Sequence, residues 1–269
     1  MQDTRYYIFI GFDERSKEAY QVAKHSLEAN SSCNIKVLPI KQRDLKHQGL
    51  FTRSWKEDSY GQRIDDIDGK PFSTDFSFTR FLVPELWKNI KDVNKSPFVM
   101  FVDCDFLFKG DIKELFQHVD NSNLLKPAPL FCVHHDYKPK NTVKMDGMEQ
   151  TLYNYKLWSS LMVFNMDHPD TKKLTPDEVN TRPGRDLHQF FWVEDPHNIG
   201  VIPESWNFIP NHSEKNTKEI KAIHYTEGSP NFKDYRNCKF SNPWFNSYNE
   251  FLTNLILNTR FDTDNIIDV

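Results

Sequence analysis

The chain has 269 residues, 38% hydrophobic and 27% charged, which allows one large or two small α/β domains with a substantial core and is not the composition of a disordered protein. With 34 Lys and Arg against 38 Asp and Glu the formal charge is −4, so no global basic field exists to hold a polyanion and no nucleic-acid partner is expected. Only 9 glycines argue against long flexible linkers, and the basic stretch from Lys36 to Lys46 reads as a solvated face.

Cys33, Cys104, Cys132 and Cys238 show no C-x-x-C spacing, which excludes a zinc ribbon or dithiol redox motif and favours free thiols in a reducing cytoplasm. No run approaches the ~20 apolar residues of a membrane-spanning helix, so no transmembrane segment is expected. Met1 to Phe12 lacks a basic flank and a small-residue cleavage site, and reads as a first strand rather than a signal peptide.

Tyr6 to Phe12 (YYIFIGF) is an aromatic and β-branched run that should be a central, buried strand. Ser16 to Glu28 carries Ala19, Val22, Ala23 and Leu27 at helical spacing, with Ser16 as candidate N-cap, and Ile35 to Ile40 follows as a second strand. From Lys41 to Thr74 the pattern turns polar and irregular, punctuated by Gly49, Gly61, Gly69 and Pro71, and predicts loops and short turns. Asp75 to Ile90 returns to helical periodicity, with Pro84 kinking the helix or marking its early turns.

Pro97 to Phe108 is the strongest strand signal. A helix is predicted near Ile112 to Val119, strands near Leu130 to His134 and Ser159 to Asn165, and a helix near Asp186 to Val193. A strand near Ala222 to Tyr225 and a closing helix near Ser247 to Leu257 complete the chain. Strands alternating with helices predict an α/β fold, a mainly parallel central sheet flanked by helices.

Asp103-Cys104-Asp105 follows five apolar residues of the strongest strand, at the carboxyl end where open α/β sheets bind ligands. Two carboxylates spaced this way can share a divalent ion, and an ordinary strand-end turn is the alternative, since D-x-D is common. His224, where a short strand runs into a Gly and Pro turn, is either a hydrogen-bonded structural histidine or a third ligand. An imidazole in such a set would favour Mn, with Mg as the alternative.

Six blocks in order, IFIGFDERSKEAYQVAKHSL, STDFSFTRFLVPEL, FVDCDFLFKGDI, WSSLMVFN, IPESWNFIP and HYTEGSPNF, resemble GT-A glycosyltransferases, nearest to the family 8 type and its short bacterial and viral relatives. The resemblance runs from the first strand to about residue 235 and implies a GT-A, Rossmann-like single catalytic domain over residues 1–269. Within it, about 1–110 would be the nucleotide-binding half, about 111–235 the acceptor and sugar half, and about 236–269 a C-terminal helical extension. It implies Mn on Asp103, Asp105 and His224, with Cys104 inside the motif, and a UDP-hexose donor whose sugar passes to an unidentified glycan, lipid or protein with retention.

By the same resemblance Phe12, Asp13 and Arg15 fall where the nucleotide base and ribose are held, an ordinary charged loop being the alternative. Arg80 matches an arginine that contacts the donor. Trp158 and Ser159 stand where the family has an Asn-Ser-Gly sequence, and the missing Asn and Gly leave sugar recognition there open. Asp186 and Gln189 fall in the block of an Asp-Gln pair near the anomeric carbon, and Asp186 is otherwise a helix cap. Trp206 and Asn207 match a pair near the acceptor, with a core Trp as the alternative. The family's diphosphate lysine after the histidine is replaced by Gly228-Ser229-Pro230, which leaves Lys233 or the Gly228 backbone N–H as substitutes.

Two rival readings are a non-catalytic sugar-nucleotide module and a phosphatase using D-x-D as nucleophile and acid. Leu107 and the motif's position past residue 100 disfavour the phosphatase. A nucleotidyltransferase would want a Gly-rich loop after the first strand, where Gly11 stands alone. Phe240, Trp244, Phe245, Tyr248 and Phe251 read as core packing in preference to a membrane-facing patch.

Overall fold

The computed structural model describes residues 4–136, 155–213 and 219–264, with side chains described as far as residue 257. The chain opens with β1 (Arg5–Phe12), a 3-10 turn at Glu14–Ser16, α1 (Lys17–Ala29) and β2 (Ile35–Lys41). Ser16 occupies the position before α1 without a side-chain capping bond, whereas Asp13 caps the preceding 3-10 turn by accepting from the Arg15 N–H. That acceptor satisfies one orphan donor of the 3-10 turn.

The segment predicted as loops forms α2 (Gln42–His47) and a small antiparallel sheet of β3 (Trp55–Glu57), β4 (Arg63–Asp65) and β5 (Pro71–Phe72). Strands this short carry no readable period. The predicted helix after it begins as a 3-10 turn at Thr79–Leu82 and becomes α3 (Val83–Lys88), with Pro84 in the first turn, where its missing N–H costs nothing.

The strongest predicted strand breaks into β6 (Lys95–Val102) and β7 (Phe106–Phe108), separated by Asp103, Cys104 and Asp105. Then come α4 (Ile112–Leu125), β8 (Leu130–Cys132), β9 (Leu161–Asn165), α5 (Pro176–Thr181), α6 (Gly184–His188), β10 (Gly200–Val201), β11 (Ala222–His224) and α7 (Ser241–Asp264). Asp186 lies inside the first turn of α6 and Pro183 takes the capping position, so Asp186 is not the cap.

The main sheet has the order β10-β8-β9-β6-β1-β2. β1 runs parallel to β2 and β6, and β10 parallel to β8, while β9 is antiparallel to both β6 and β8. β1 has a neighbour on each side but lies one strand from the edge, and β6 and β9 take the centre. The sheet is therefore mainly parallel with one reversed strand, and its core runs through Ile8, Ile10, Val99, Phe101, Leu161 and Val163, all buried. A separate antiparallel pair, β7 with β11, sets His224 opposite Phe106. Trp244 of α7 is buried against Val22, Leu107 and Phe208, so this end of the aromatic C-terminal stretch is core.

Gly11 in β1 shows how tightly the sheet meets the segment above it. A Cβ at this position would fall 2.4 Å from the buried Phe76 ring. Phe76 in turn presents its carbonyl to Arg80 Nε at 3.0 Å. Gly11→Ala is expected to cost about 1–3 kcal/mol through overpacking, measured as a lower urea midpoint at unchanged m-value.

Candidate active site

The break between β6 and β7 turns the chain out of the sheet at its carboxyl edge, so that Asp103 and Asp105 lie at the floor of a cleft of about 1030 Å³, open mouth included. The wall is built by residues 70–78 after β4, by Arg80, by Lys156, Leu157, Ser159 and Ser160 before β9, and by Gly184, Arg185 and His188 of α6.

Each acidic side chain is held. Arg80 Nη1 is 3.0 Å from Asp103 Oδ1 and also donates to the Ser159 carbonyl at 2.7 Å. His224 Nε2 is 3.4 Å from Asp105 Oδ1. The His224 ring is fully buried, stacks on Phe106 at 4.4 Å between centroids, and pairs its Nδ1 with Asn207 Oδ1 at 2.9 Å. An amide oxygen can only accept, so Nδ1 carries a proton and Nε2 is the nitrogen that faces Asp105. Asn207 is oriented in turn by donating to Ser160 Oγ at 2.8 Å, and Ser160 Oγ donates to the Leu157 carbonyl at 2.6 Å. A ligating imidazole whose other nitrogen is fixed by a neutral acceptor is the usual outer-shell arrangement of a metal site.

Asp103, Asp105 and His224 each offer one ligand atom, and these lie within 4.8 Å of one another. Two carboxylates and an imidazole are a donor set that fits a divalent ion of the Mn type. Cys104 between them is buried, and desolvation together with the charges of Asp105 and Asp103 pushes its thiol well above the ordinary range, so it serves as packing and not as a nucleophile.

Of the other residues expected from the sequence, Arg80 and Ser159 line the cleft, whereas Phe12, Asp13 and Arg15 stand behind its wall. Burial works against the Asp13 charge, but the Arg15 hydrogen bonds and charge outweigh it and lower its pKa. Asp13 also accepts from the Asp75 N–H at 3.2 Å, and Arg15 donates to the Ser73 carbonyl, so the pair pins the 73–75 segment that forms the rim. Asp75 beside them is raised by burial and by the Asp13 charge.

Trp206 is in the core and Asn207 is wholly buried, so neither presents itself to an acceptor, and Asn207 positions His224 instead. Trp158 is half-buried, stacked between His134 at 3.9 Å and Tyr155 at 4.2 Å. Asp186 pairs with Arg185 at 3.1 Å and Gln189 is buried; neither is among the cleft residues. The Gly228 N–H is spent on the Tyr225 carbonyl at 2.9 Å, and the Tyr235 ring covers its α-carbon, so close approach of that ring is why the position is glycine.

Sequence reasoning passed over His188, whose Nδ1 is 2.7 Å from Ser159 Oγ, and the cleft cations Lys70, Lys156 and Arg185. His188 carried a signal, because it lies between Asp186 and Gln189 on one short helix. The cations carried none, since each enters the cleft from a different loop or helix.

Comparison with solved structures shows the fold. The chain aligns over 91% of its length with the galactosyltransferase LgtC, solved in complex with donor and acceptor sugar analogs, covering 95% of that chain at 13% identity and a TM-score of 0.51. It aligns with the glycosyltransferase GlyE of Streptococcus pneumoniae at 12% identity and TM-score 0.53, spanning 64% of it, and with the bifunctional glycosyltransferase WbbM at 14% and 0.55, spanning 50%. The protein thus has the GT-A glycosyltransferase fold, with its acidic pair at the carboxyl edge of the sheet. No protein-family model matches the chain. Among curated proteins it is 43% identical to Protein CDI of Arabidopsis thaliana over 248 residues, 91% of this chain and 86% of that one, and it belongs to the same family.

Proposed function

We propose that the protein is a metal-dependent glycosyltransferase that moves a hexose from a UDP-sugar to an acceptor. The observation that carries this is the convergence of Asp103 and Asp105, which line the cleft, with the buried His224 behind them, their ligand atoms within 4.8 Å of one another. A Mn ion bound there supplies a Lewis acid against charge on the departing diphosphate. Arg80 pairs with Asp103 and is itself held by the Ser159 carbonyl. Lys70, Lys156 and Arg185 give the cleft the positive charge for a diphosphate in place of the lysine missing after His224. Ser159 and His188, paired in the cleft wall, are able to orient a hydroxyl of the sugar. The four unpaired thiols favour a reducing, cytoplasmic setting for such a donor. Among the described residues no helix is long and apolar enough to cross a membrane.

Calorimetry with UDP tests the binding half of this reading. UDP should bind with Mn present and at least about 100-fold more weakly after chelation. Equal affinity with and without metal would remove the metal from donor binding. Transfer should retain the anomeric configuration, with the leaving phosphate oxygen taking the acceptor's proton, and an inverted linkage in the product's NMR spectrum would refute that step.

A further inference from the structure

Behind the first cluster, on the far side of Asn207, lies a second group of metal-binding side chains. His135 follows β8, Glu204 opens the 3-10 turn at Glu204–Asn207, and His212 lies shortly beyond it. Each offers one ligand atom, and these atoms lie within 4.8 Å of one another. His135 Nδ1 is 3.9 Å from Glu204 Oε1, and the two imidazole centroids are 6.5 Å apart at 64°, so the rings meet edge to face over a shared point. Nitrogen and oxygen ligands at about 2.0–2.2 Å from one tetrahedral ion stand roughly 3.4 Å apart, a spacing that small rotations of Glu204 and His212 reach.

A second observation points the same way. The His135 side chain is wholly inaccessible, and although the Asn207 side chain approaches it, neither ring nitrogen makes a well-formed hydrogen bond among the described residues. A neutral imidazole carries one donor and one acceptor, and a buried ring rarely forgoes both. Around it stand three further histidines, His224, His212 and His134, with the Asn207 amide and with Glu204 as the acid beside it. The neighbours are prepared as outer-shell groups are. Ser213 Oγ donates to Glu204 Oε1 at 2.6 Å and orients the carboxylate, while Trp158 Nε1 donates to the His135 carbonyl at 2.9 Å and fixes the backbone that aims the ring.

We propose that His135, Glu204 and His212 form a second divalent-cation site, of the two-imidazole, one-carboxylate type that takes zinc or cobalt, with a water completing the shell. The site is distinct from the donor cluster, although His224 is near enough to act on His135 electrostatically. Its ligands are different residues, and the Asn207 amide that orients His224 lies between the two groups. It holds the 204–213 segment against the end of β8 and so stiffens the support of His224. It does not depend on the glycosyltransferase reading.

The test uses the full chain, stripped with chelator and dialysed against Co²⁺ alone, with bound cobalt counted by atomic absorption and its visible spectrum recorded. Wild type should bind one equivalent more than either Glu204→Gln or His212→Ala, and the intense tetrahedral d–d bands should disappear in both variants while circular dichroism stays unchanged. Glu204→Gln keeps the side-chain shape, so a loss there is not a loss of fold. Asp105→Asn should remove a different equivalent, additive with the first. Cobalt content and bands equal to wild type in Glu204→Gln and His212→Ala would overturn the second site whatever Asp105→Asn does. A loss in those two variants with none in Asp105→Asn would leave the second site standing and count against the donor metal.

Discussion

Asp105→Asn is expected to lower Mn-dependent release of nucleotide from the donor by about 10²–10³-fold, the size of effect seen when one preorganised electrostatic group is removed from a reacting site. The substitution keeps the shape of the side chain and deletes its charge. The contact between the Asp105 carbonyl and the Tyr225 N–H, 2.9 Å, belongs to the backbone and survives, so β7 and β11 stay in register. What is lost is an anionic ligand 3.4 Å from His224 Nε2. The deficit should therefore shrink as Mn is raised, because the remaining ligands bind the ion more weakly but in the same place. Initial rates across a Mn series, with thermal unfolding run alongside, check this. A variant with wild-type turnover, or one whose loss follows a fallen melting temperature, would not fit.

Arg53→Ala is expected to be the most destabilising single substitution considered, at about 3–5 kcal/mol in urea unfolding. Arg53 and Asp65 form an ion pair with side chains 0% and 1% exposed, joined by two hydrogen bonds of 2.7 Å each. The remaining Arg53 donor, Nη1, reaches the Val179 and Arg182 carbonyls at 3.0 and 2.7 Å, and the guanidinium lies 4.1 Å over the Phe78 ring. Truncation leaves a buried carboxylate and two carbonyls without their donor. Arg53→Lys should recover only part of the loss, because an ammonium cannot reproduce the planar fork. Replacing the pair together, as Arg53→Met with Asp65→Leu, should cost clearly less than Arg53→Ala alone. If it costs more, the pair contributes net attraction beyond its desolvation. The consequence reaches the active site, because Phe78 is part of the cleft wall and packs where a Cβ on Gly184 would stand, 2.5 Å away.

The parts legible in the sequence were those whose burial follows a simple period or run. β1, α1, β2 and α4 were found because an unbroken apolar strand and a 3.6-residue stripe are what a covered sheet and its helices require. Asp103 and Asp105 were legible because two charges directly after five apolar residues demand an outlet. The orientation of β9 was not, since Leu161–Asn165 is buried at every position and such a run reads alike in either direction. Nor were β3 to β5, whose few residues are organised by the Arg53–Asp65 pair, a contact across 12 positions that no local pattern encodes. Asn207 was assigned to an acceptor because a Trp-Asn pair carries no mark of its own burial, and its hydrogen bond to His224 spans 17 residues. Lys156 and Arg185 meet in the cleft only once β9 and α6 are placed.

The most direct measurement is release of free nucleotide from a panel of UDP- and GDP-sugars by the wild-type protein, with and without Mn. Mn-dependent release from one UDP-hexose, with the GDP-sugars inert, is the predicted result and would also name the sugar. Tight Mn-dependent binding of UDP with no release from any donor, in the presence of a broad set of glycan, lipid and protein acceptors, would contradict transfer and leave a GT-A domain that binds nucleotide sugars without consuming them.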